Sequence, residues 1–188
     1  MNTHGVDETL KQLYALAYKY RVDMRVRAWA ESSMRAWKKQ HGAWPTTDQE
    51  IGEALLNGFR KIPYVPNPTT EFVTAPAMIF RVAELPDKFF RTTEFPAFGM
   101  DADDAAVALG AAAMSVGCEV AFIGQSFDNK MGIHHVIVAI RDEDTPGDNW
   151  LRYDPCYGKG PEALKDGKQP VDERWVFEPS ETKTEKEP

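Results

Sequence analysis

The chain has 188 residues, of which 43% are hydrophobic and 27% charged, as is ordinary for one globular domain with appendages. It has no apolar run of about 18 residues and no apolar segment near its start, so we expect neither a transmembrane helix nor a secretory signal peptide. The net charge of −7 disfavours nucleic acid as the main partner. Two cysteines, Cys118 and Cys156, form neither a disulfide framework nor a CxxC metal motif, and we expect a reducing, cytoplasmic setting.

Residues 1–60 are predicted to form an N-terminal helical segment. From about residue 6 to about residue 40, apolar residues recur in steps of three and four along one helix face, namely Leu10, Leu13, Ala17, Tyr20, Met24 and Ala28. The segment is locally basic and carries Trp29 and Trp37, which fits either a partner-binding face or a solvated face. Because charge runs are usually solvated, we favour the second interpretation. Thr47 and Glu50 resemble a capping box that opens another helix ending near Phe59.

Residues 61–177 are predicted to form the main domain, and the charged tail 178–188 to be disordered. Prolines at 63, 66, 68 and 76 predict extended edge segments and turns, followed by a loop over 83–99. Strand-like runs cover 118–124, 133–142 and 149–155, with short loops between them. No helix separates these strands. The order therefore predicts an α+β fold in which helices pack on one side of a mainly antiparallel sheet.

A small-residue helix is predicted immediately before the strands. Asp101 is a good N-cap, Asp103 and Asp104 place negative charge in the first turn, and Gly117 is a plausible stop. A thiol at the start of such a helix would have a lowered pKa, and an oxyanion would find backbone donors there. Taken alone, these signals are more often those of a capped core helix.

Two histidines and an aspartate add a possible catalytic pattern. His134 and His135 lie in an apolar strand and point to opposite faces, so only one of them can face the central helix. Asp154 ends the following strand, where it could orient that histidine as in a catalytic triad. The pattern lacks an attacking atom. A metal site made of these three residues is disfavoured, because neighbours on opposite faces rarely bind one ion.

Three segments, "MDADDAAVALGAAAMSVGCEVAFIG", "IHHVIVAI" and "WLRYDP", together resemble the transglutaminase-like branch of the papain-like cysteine enzymes, in particular small phage and bacterial members. The resemblance covers roughly residues 62 to 158 and implies a central helix packed on an antiparallel sheet. It places Ala102 at the nucleophile position, where a cysteine is expected, with His135 and Asp154 completing the triad. Asp101, Asp103 and Trp150 would support the substrate cleft.

The resemblance also implies a chemistry, which is that of a peptidase, amidase or transamidase acting through a thioester without metal or cofactor. The substrate would be a peptide or protein carrying the scissile amide, in the cytoplasm of a bacterial or phage-infected cell or in association with a virion. Alanine at position 102 forms no acyl-enzyme, so the chain as written is predicted to be inactive.

Three interpretations of Ala102 remain open. The first is a deliberate Cys→Ala replacement in a working enzyme. It is supported by the presence of the matching histidine, aspartate and tryptophan. The second is a natural pseudoenzyme, a peptide- or partner-binding or virion-associated protein that uses the same cleft. In the third interpretation the nucleophile is Cys118 or Cys156, although cysteines are more often simply buried.

Overall fold

The computed structural model of the protein describes residues 3–60, 62, 73, 75–83, 101–128, 132–156 and 169–177. In chain order they form helices α1 (Thr3–Tyr20), α2 (Met24–His41), α3 (Asp48–Phe59), α4 (Pro76–Ala83) and α5 (Ala102–Ser115), then strands β1 (Val120–Ser126), β2 (His135–Arg141), β3 (Trp150–Tyr153) and β4 (Asp172–Val176). Helices combined with a four-stranded antiparallel sheet confirm the α+β class in general. Within these ranges, no helix is both long and apolar enough to cross a membrane.

The long N-terminal helix that the sequence predicts is in fact two helices. Asp23 lies in an extended conformation between them, and its side chain accepts a hydrogen bond of 2.8 Å from the backbone N–H of Arg25, which caps α2. The break changes which residues are buried. Leu10, Leu13 and Ala17 lie in the core as predicted, whereas Met24 and Ala28 are exposed. Helix α2 instead buries a different set, namely Val26, Trp29, Ala30 and Ser33.

The capping box at the start of α3 is confirmed. The Thr47 hydroxyl accepts the backbone N–H of Glu50, and the Glu50 carboxylate accepts the backbone N–H groups of Thr46 and Thr47. These two backbone donors, Thr46 first, lower the pKa of Glu50 below its ordinary value. The helix ends at Phe59, as predicted.

Helix α4 corrects the prediction of extended structure at Pro76. Proline occupies the first helical position, where its missing N–H leaves no hydrogen bond unmade and its fixed φ suits the helix. Phe80 of this helix is buried and stacks on the Trp29 ring, with 4.4 Å between ring centroids. The predictions for Pro63, Pro66 and Pro68, for the loop after Ala83 and for the tail 178–188 fall outside the described residues.

Helix α5 lies at the centre of the main core, and its ends match the sequence prediction. The Asp101 side chain caps it by accepting the backbone N–H of Asp104 at 3.0 Å, and Gly117 follows its C-terminus with a φ of 100°. Every residue from Asp104 to Ala113 is buried. Its small side chains allow close approach of neighbours, since a Cβ added to Gly110 would lie 2.8 Å from the Phe122 ring. Helices α1 to α4 and one face of the sheet share this core, so the N-terminal helices α1 to α3 pack together with the residues after them.

The strand order in the sheet is β3-β2-β1-β4, and every neighbouring pair is antiparallel. The three predicted strands are confirmed with bounds shifted by one or two residues, whereas β4 was not predicted. Along β2, Val136, Val138 and Ile140 belong to the main core with the helices. Ile137 and Ala139 point to the opposite face, where Trp150 and Trp175 pack against them.

Candidate active site

His135 and Asp154 are bonded to each other at one end of the sheet. His135 is the first residue of β2, Asp154 directly follows β3, and the two strands are antiparallel neighbours. Nε2 of His135 lies 3.1 Å from Oδ2 of Asp154. The His135 side chain is only 1% exposed and that of Asp154 16% exposed. The two residues that the sequence assigns to a triad are therefore in contact, in a place sheltered from water.

The other ring nitrogen of His135 has no partner. Nδ1 is buried and makes no hydrogen bond with any residue that the structure describes. A carboxylate only accepts, so in this contact Nε2 is the donor, and in a neutral imidazole of that tautomer Nδ1 carries the lone pair. A buried polar atom without a partner costs about 1 to 3 kcal/mol, and such atoms are rare in native structures. This nitrogen is consequently suited to accept a proton from a donor placed beside it.

The Asp154 carboxylate is held at both oxygens. Oδ1 accepts the backbone N–H of Cys156 at 2.8 Å, while Oδ2 faces His135. The Cys156 thiol in turn donates to the backbone carbonyl of Asp101, with 3.7 Å between sulfur and oxygen. The end of β3 is thereby attached to the residue that caps α5. Position 102 is next in the chain after this contact.

Ala102 begins α5 and is half-buried against the main core. The first turn of a helix presents backbone N–H groups and the positive end of the helix dipole, which stabilise nearby negative charge. A thiolate or an oxyanion formed near this residue would benefit from both. The methyl group of alanine uses neither.

A cavity of about 580 Å³ opens beside the histidine. Its described lining comprises Thr9, Leu10, Gln12, Leu13, Leu16, Val73, Asp103, Ile133, His134, His135 and Val136. The volume lies within the range of about 300 to 1,000 Å³ that is typical of ligand sites. Asp103, predicted to support the cleft, therefore lines the same cavity as His135. The contribution of α1 could not be predicted, because nothing local in its apolar face indicates which element it packs against.

His134 differs from its neighbour. It is exposed, and its Nδ1 lies 2.8 Å from the backbone carbonyl oxygen of Gly132. The Phe127 ring lies near both histidines, with centroid distances of 5.8 Å to His134 and 6.1 Å to His135. By strand alternation, His135 lies on the same face of β2 as Ile137 and Ala139, whereas Val136, Val138 and Ile140 face the helices. This differs from the expectation that the histidine of the triad faces the central helix, and His135 lies instead at the end of the sheet, on the other face.

Trp150 lies away from this site. It pairs with Arg141, the last residue of β2, and so occupies the opposite end of the strands from His135. Asp154 follows it by four positions of extended chain, which is roughly 13 Å at about 3.3 Å per residue. Its ring packs against Trp175 and Phe177, and its Nε1 donates to Asp148. The structure thus places Trp150 in the second apolar cluster and not in the described cavity wall.

The two cysteines offered as substitute nucleophiles are both buried. Burial, with a smaller contribution from the charge of Asp48, raises the pKa of Cys118 to about 12, which keeps its thiol protonated at neutral pH. Cys156 lies close to Asp154, but its thiol donates to the Asp101 carbonyl and its residue is 1% exposed. Neither environment activates a thiolate.

Metal-ligand spacing occurs elsewhere in the described part of the chain. Carboxylate oxygens of Asp48, Asp142 and Asp144 lie within 4.8 Å of one another, near the Trp150 end of the sheet. These carboxylates accept the backbone N–H groups of Asp48, Glu143 and Asp144. The group shares no residue with the cavity beside His135.

Comparison with protein-family models, with curated proteins and with solved structures finds no match for the chain. Function is therefore inferred from the chain's own residues. A buried imidazole that is bonded to a carboxylate through one nitrogen, and whose other nitrogen has no partner among the described residues, has a geometry suited to proton transfer.

Proposed function

We propose that the protein is a transglutaminase-like cysteine enzyme of papain-like architecture in which alanine stands at the nucleophile position. One observation carries the proposal, namely that Nδ1 of His135 is buried without a partner while Nε2 is bonded to Asp154. In a thiol–imidazole–carboxylate triad the nitrogen away from the carboxylate faces the thiol. The contact between Cys156 and Asp101 supports the proposal, because it attaches the Asp154 end of β3 to the start of α5.

With cysteine at position 102, His135 Nδ1 would take the thiol proton, and the thiolate would attack the carbonyl carbon of an amide. Negative charge would develop on the carbonyl oxygen near the first turn of α5, where helix N–H groups favour it. His135 would then deliver the proton to the leaving amine as the C–N bond breaks, which leaves a thioester. Water or a second amine, deprotonated by His135, would attack the thioester and release the thiol. Asp154 would fix the ring and stabilise its charged form.

With Ala102 none of the covalent steps can occur, and a second candidate function follows from that residue. The cavity beside His135 has a volume of about 580 Å³, a size that suits binding. A natural pseudoenzyme would use it to hold a peptide or a protein partner without turnover. The two candidates share a binding site and differ in whether the site activates a thiol.

The decisive variant is Ala102→Cys, treated with iodoacetamide from about pH 5 to about pH 9. We expect labelling that rises with an apparent pKa clearly below the ordinary thiol value of about 8.5, because His135 and the helix start stabilise the thiolate. The parent chain gives the background from Cys118 and Cys156. Adding His135→Ala should return the new thiol to ordinary reactivity. Labelling of Ala102→Cys no faster than a free thiol, with or without His135, would contradict an enzyme and favour the binding protein.

A further inference from the structure

The α1–α2 corner, residues 18–25, exposes apolar side chains. Val22 is 75% exposed and Met24 is 85% exposed. A residue just before a helix cap commonly packs against the fourth residue of that helix, an arrangement called a hydrophobic staple. Here the cap is Asp23, and the fourth residue of α2 is Arg27, whose side chain is 65% exposed. Val22 therefore has no apolar staple partner, and the capping of α2 does not account for its exposure.

The same corner carries positive charge against the preference of the helix. A helix N-terminus favours carboxylates, but α2 has no acidic residue in its first turn and has Arg25 there instead. Lys19, Arg21 and Arg25 make no ion pair with any carboxylate that the structure describes. Positions at which a chain breaks such local preferences are often functional. Exposed apolar side chains and unpaired cations thus coincide on one surface.

Charge and shape favour an anionic lipid surface as the partner. Residues 18–28 carry four cations against the single carboxylate of Asp23, which gives a net charge of +3 in a chain of −7. Tyr18 is 42% exposed, and the guanidinium of Arg21 lies over its ring, 3.4 Å from the centroid. Apolar side chains that project from a turn among cations and tyrosines suit the headgroup layer of a membrane, whereas a protein partner would need a matching pocket.

We propose that the α1–α2 corner docks the protein on membranes that contain anionic lipid. Val22 and Met24 enter the headgroup layer, and the surrounding cations bind lipid phosphates. Each cation near such a surface strengthens binding about 5-fold, and the buried apolar side chains add a contribution that salt does not screen. Docking of this kind needs no membrane-crossing helix and is independent of the chemistry proposed at His135. It gives a partner to one end of the basic N-terminal segment.

Co-sedimentation with lipid vesicles tests the docking. At low ionic strength the chain should bind phosphatidylcholine vesicles that contain about 30% phosphatidylglycerol, and it should not bind pure phosphatidylcholine. Arg25→Glu should weaken binding roughly 25-fold, because the charge changes by two at about 5-fold each. The same substitution puts a carboxylate in the first turn of α2 and should raise the melting temperature, which distinguishes lost binding from lost folding.

Arg35→Glu is the matched control for charge. It changes the net charge of the chain by the same amount, and the Arg35 side chain is likewise exposed on α2. It lies about 15 Å further along the helix than Arg25, beyond the Debye length of about 8 Å at physiological salt. Arg35→Glu should therefore bind anionic vesicles within about 2-fold of the parent chain.

A second comparison measures the apolar contribution. Val22→Ser combined with Met24→Ser should weaken binding to anionic vesicles by about 10-fold or more. The binding that remains should be more sensitive to salt, since only the cations then contribute. Met78→Ser is the control, because Met78 is 41% exposed on α4 and should leave binding unchanged.

Three results would overturn the proposal. The first is no binding of the parent chain to anionic vesicles at low ionic strength. The second is an equal loss in Arg25→Glu and Arg35→Glu, which would mean that total charge governs binding and the corner does not. The third uses polyglutamate as a probe. If the chain binds it as tightly as the vesicles and the double serine variant loses nothing, the corner recognises acidic polypeptide and not lipid.

Discussion

The carboxylate of Asp154 joins two separate parts of the site, because one oxygen meets His135 Nε2 at 3.1 Å and the other accepts the Cys156 N–H at 2.8 Å. Through Cys156 the same connection continues to Asp101, the cap of α5. A single side chain thus orients the imidazole and fixes the end of β3 against the helix start. Its removal should affect the stability of the protein as well as its chemistry.

Replacing Asp154 by Ala should lower the free energy of unfolding by about 2 to 3 kcal/mol, because a buried imidazole nitrogen and a backbone N–H both lose a charged partner. Urea denaturation followed by circular dichroism measures this. Glu31→Gln is the control, since it breaks an exposed ion pair with Arg27 and should change stability by less than about 0.5 kcal/mol. A loss at Asp154 no larger than the control would mean that the carboxylate has no structural role.

Asp101→Ala should destabilise the protein by about 0.5 to 2 kcal/mol, because the backbone N–H of Asp104 loses its capping acceptor. Asp101→Asn retains an acceptor of similar geometry and should be nearly neutral. Comparing the thermal unfolding of these two variants separates the effect of the capping hydrogen bond from that of the negative charge. If both variants lose the same amount, charge near the helix start matters and the cap geometry does not.

Neither cysteine of the parent chain should react in the folded state. Cys118 has a pKa raised to about 12 by burial, and Cys156 is 1% exposed, so Ellman's reagent at pH 8 should find almost no thiol. In urea both should react. Rapid modification of Cys156 in the native protein, lost in His135→Ala, would instead revive the hypothesis of a relocated nucleophile.

Stability should fall at alkaline pH. Burial raises the pKa of the Cys118 thiol to about 12, well above that of an exposed thiol, so between the two values the folded state keeps a proton that the unfolded chain releases. The contribution of this proton to the free energy of unfolding is complete below about pH 9. It is lost as pH rises towards 12, by at most about 1.4 kcal/mol per pH unit. Burial raises the pKa of Tyr153 in the same sense.

Urea midpoints from pH 8 to pH 11 measure this slope. Cys118→Ala removes the thiol and should give a shallower decline, whereas Tyr153 continues to contribute in that variant. The slopes are compared rather than the absolute stabilities, because the substitution also leaves a small cavity. An identical slope in parent and variant would show that Cys118 does not titrate differently in the folded state.

Local signals were sufficient for several elements. The cap at Asp101, the stop at Gly117 and the capping box of Thr47 and Glu50 each depend on neighbouring backbone groups, and all were predicted correctly. The three apolar strands were predicted for the same reason, since their composition alone distinguishes them. The contact between His135 and Asp154 followed from two adjacent strands.

Other features depend on competition or on distant partners. The helical spacing of apolar residues continues across Asp23, and this pattern predicted one long helix. In the structure Asp23 caps α2 and divides the two helices. Strand β4, at the sheet edge, consists of three charged residues followed by Trp175 and Val176, which is neither an alternating pattern nor an apolar run. The cavity wall formed by Leu16 and the contact of Cys156 with Asp101 are tertiary and have no local signature.

The partnership of α1 with α5, and of β4 with β1, has a consequence for how the chain folds. Residues 3–20 pack against residues 102–115, and β1 acquires its second neighbour only from residues 172–176. During synthesis α1 therefore has no α5 to pack against until about residue 115 has been made. One edge of β1 stays unpaired until β4 has been made. Such long-range pairing slows folding and leaves apolar surface and a strand edge uncovered in the meantime. This order of assembly therefore favours aggregation of incompletely synthesised chains rather than of completed chains.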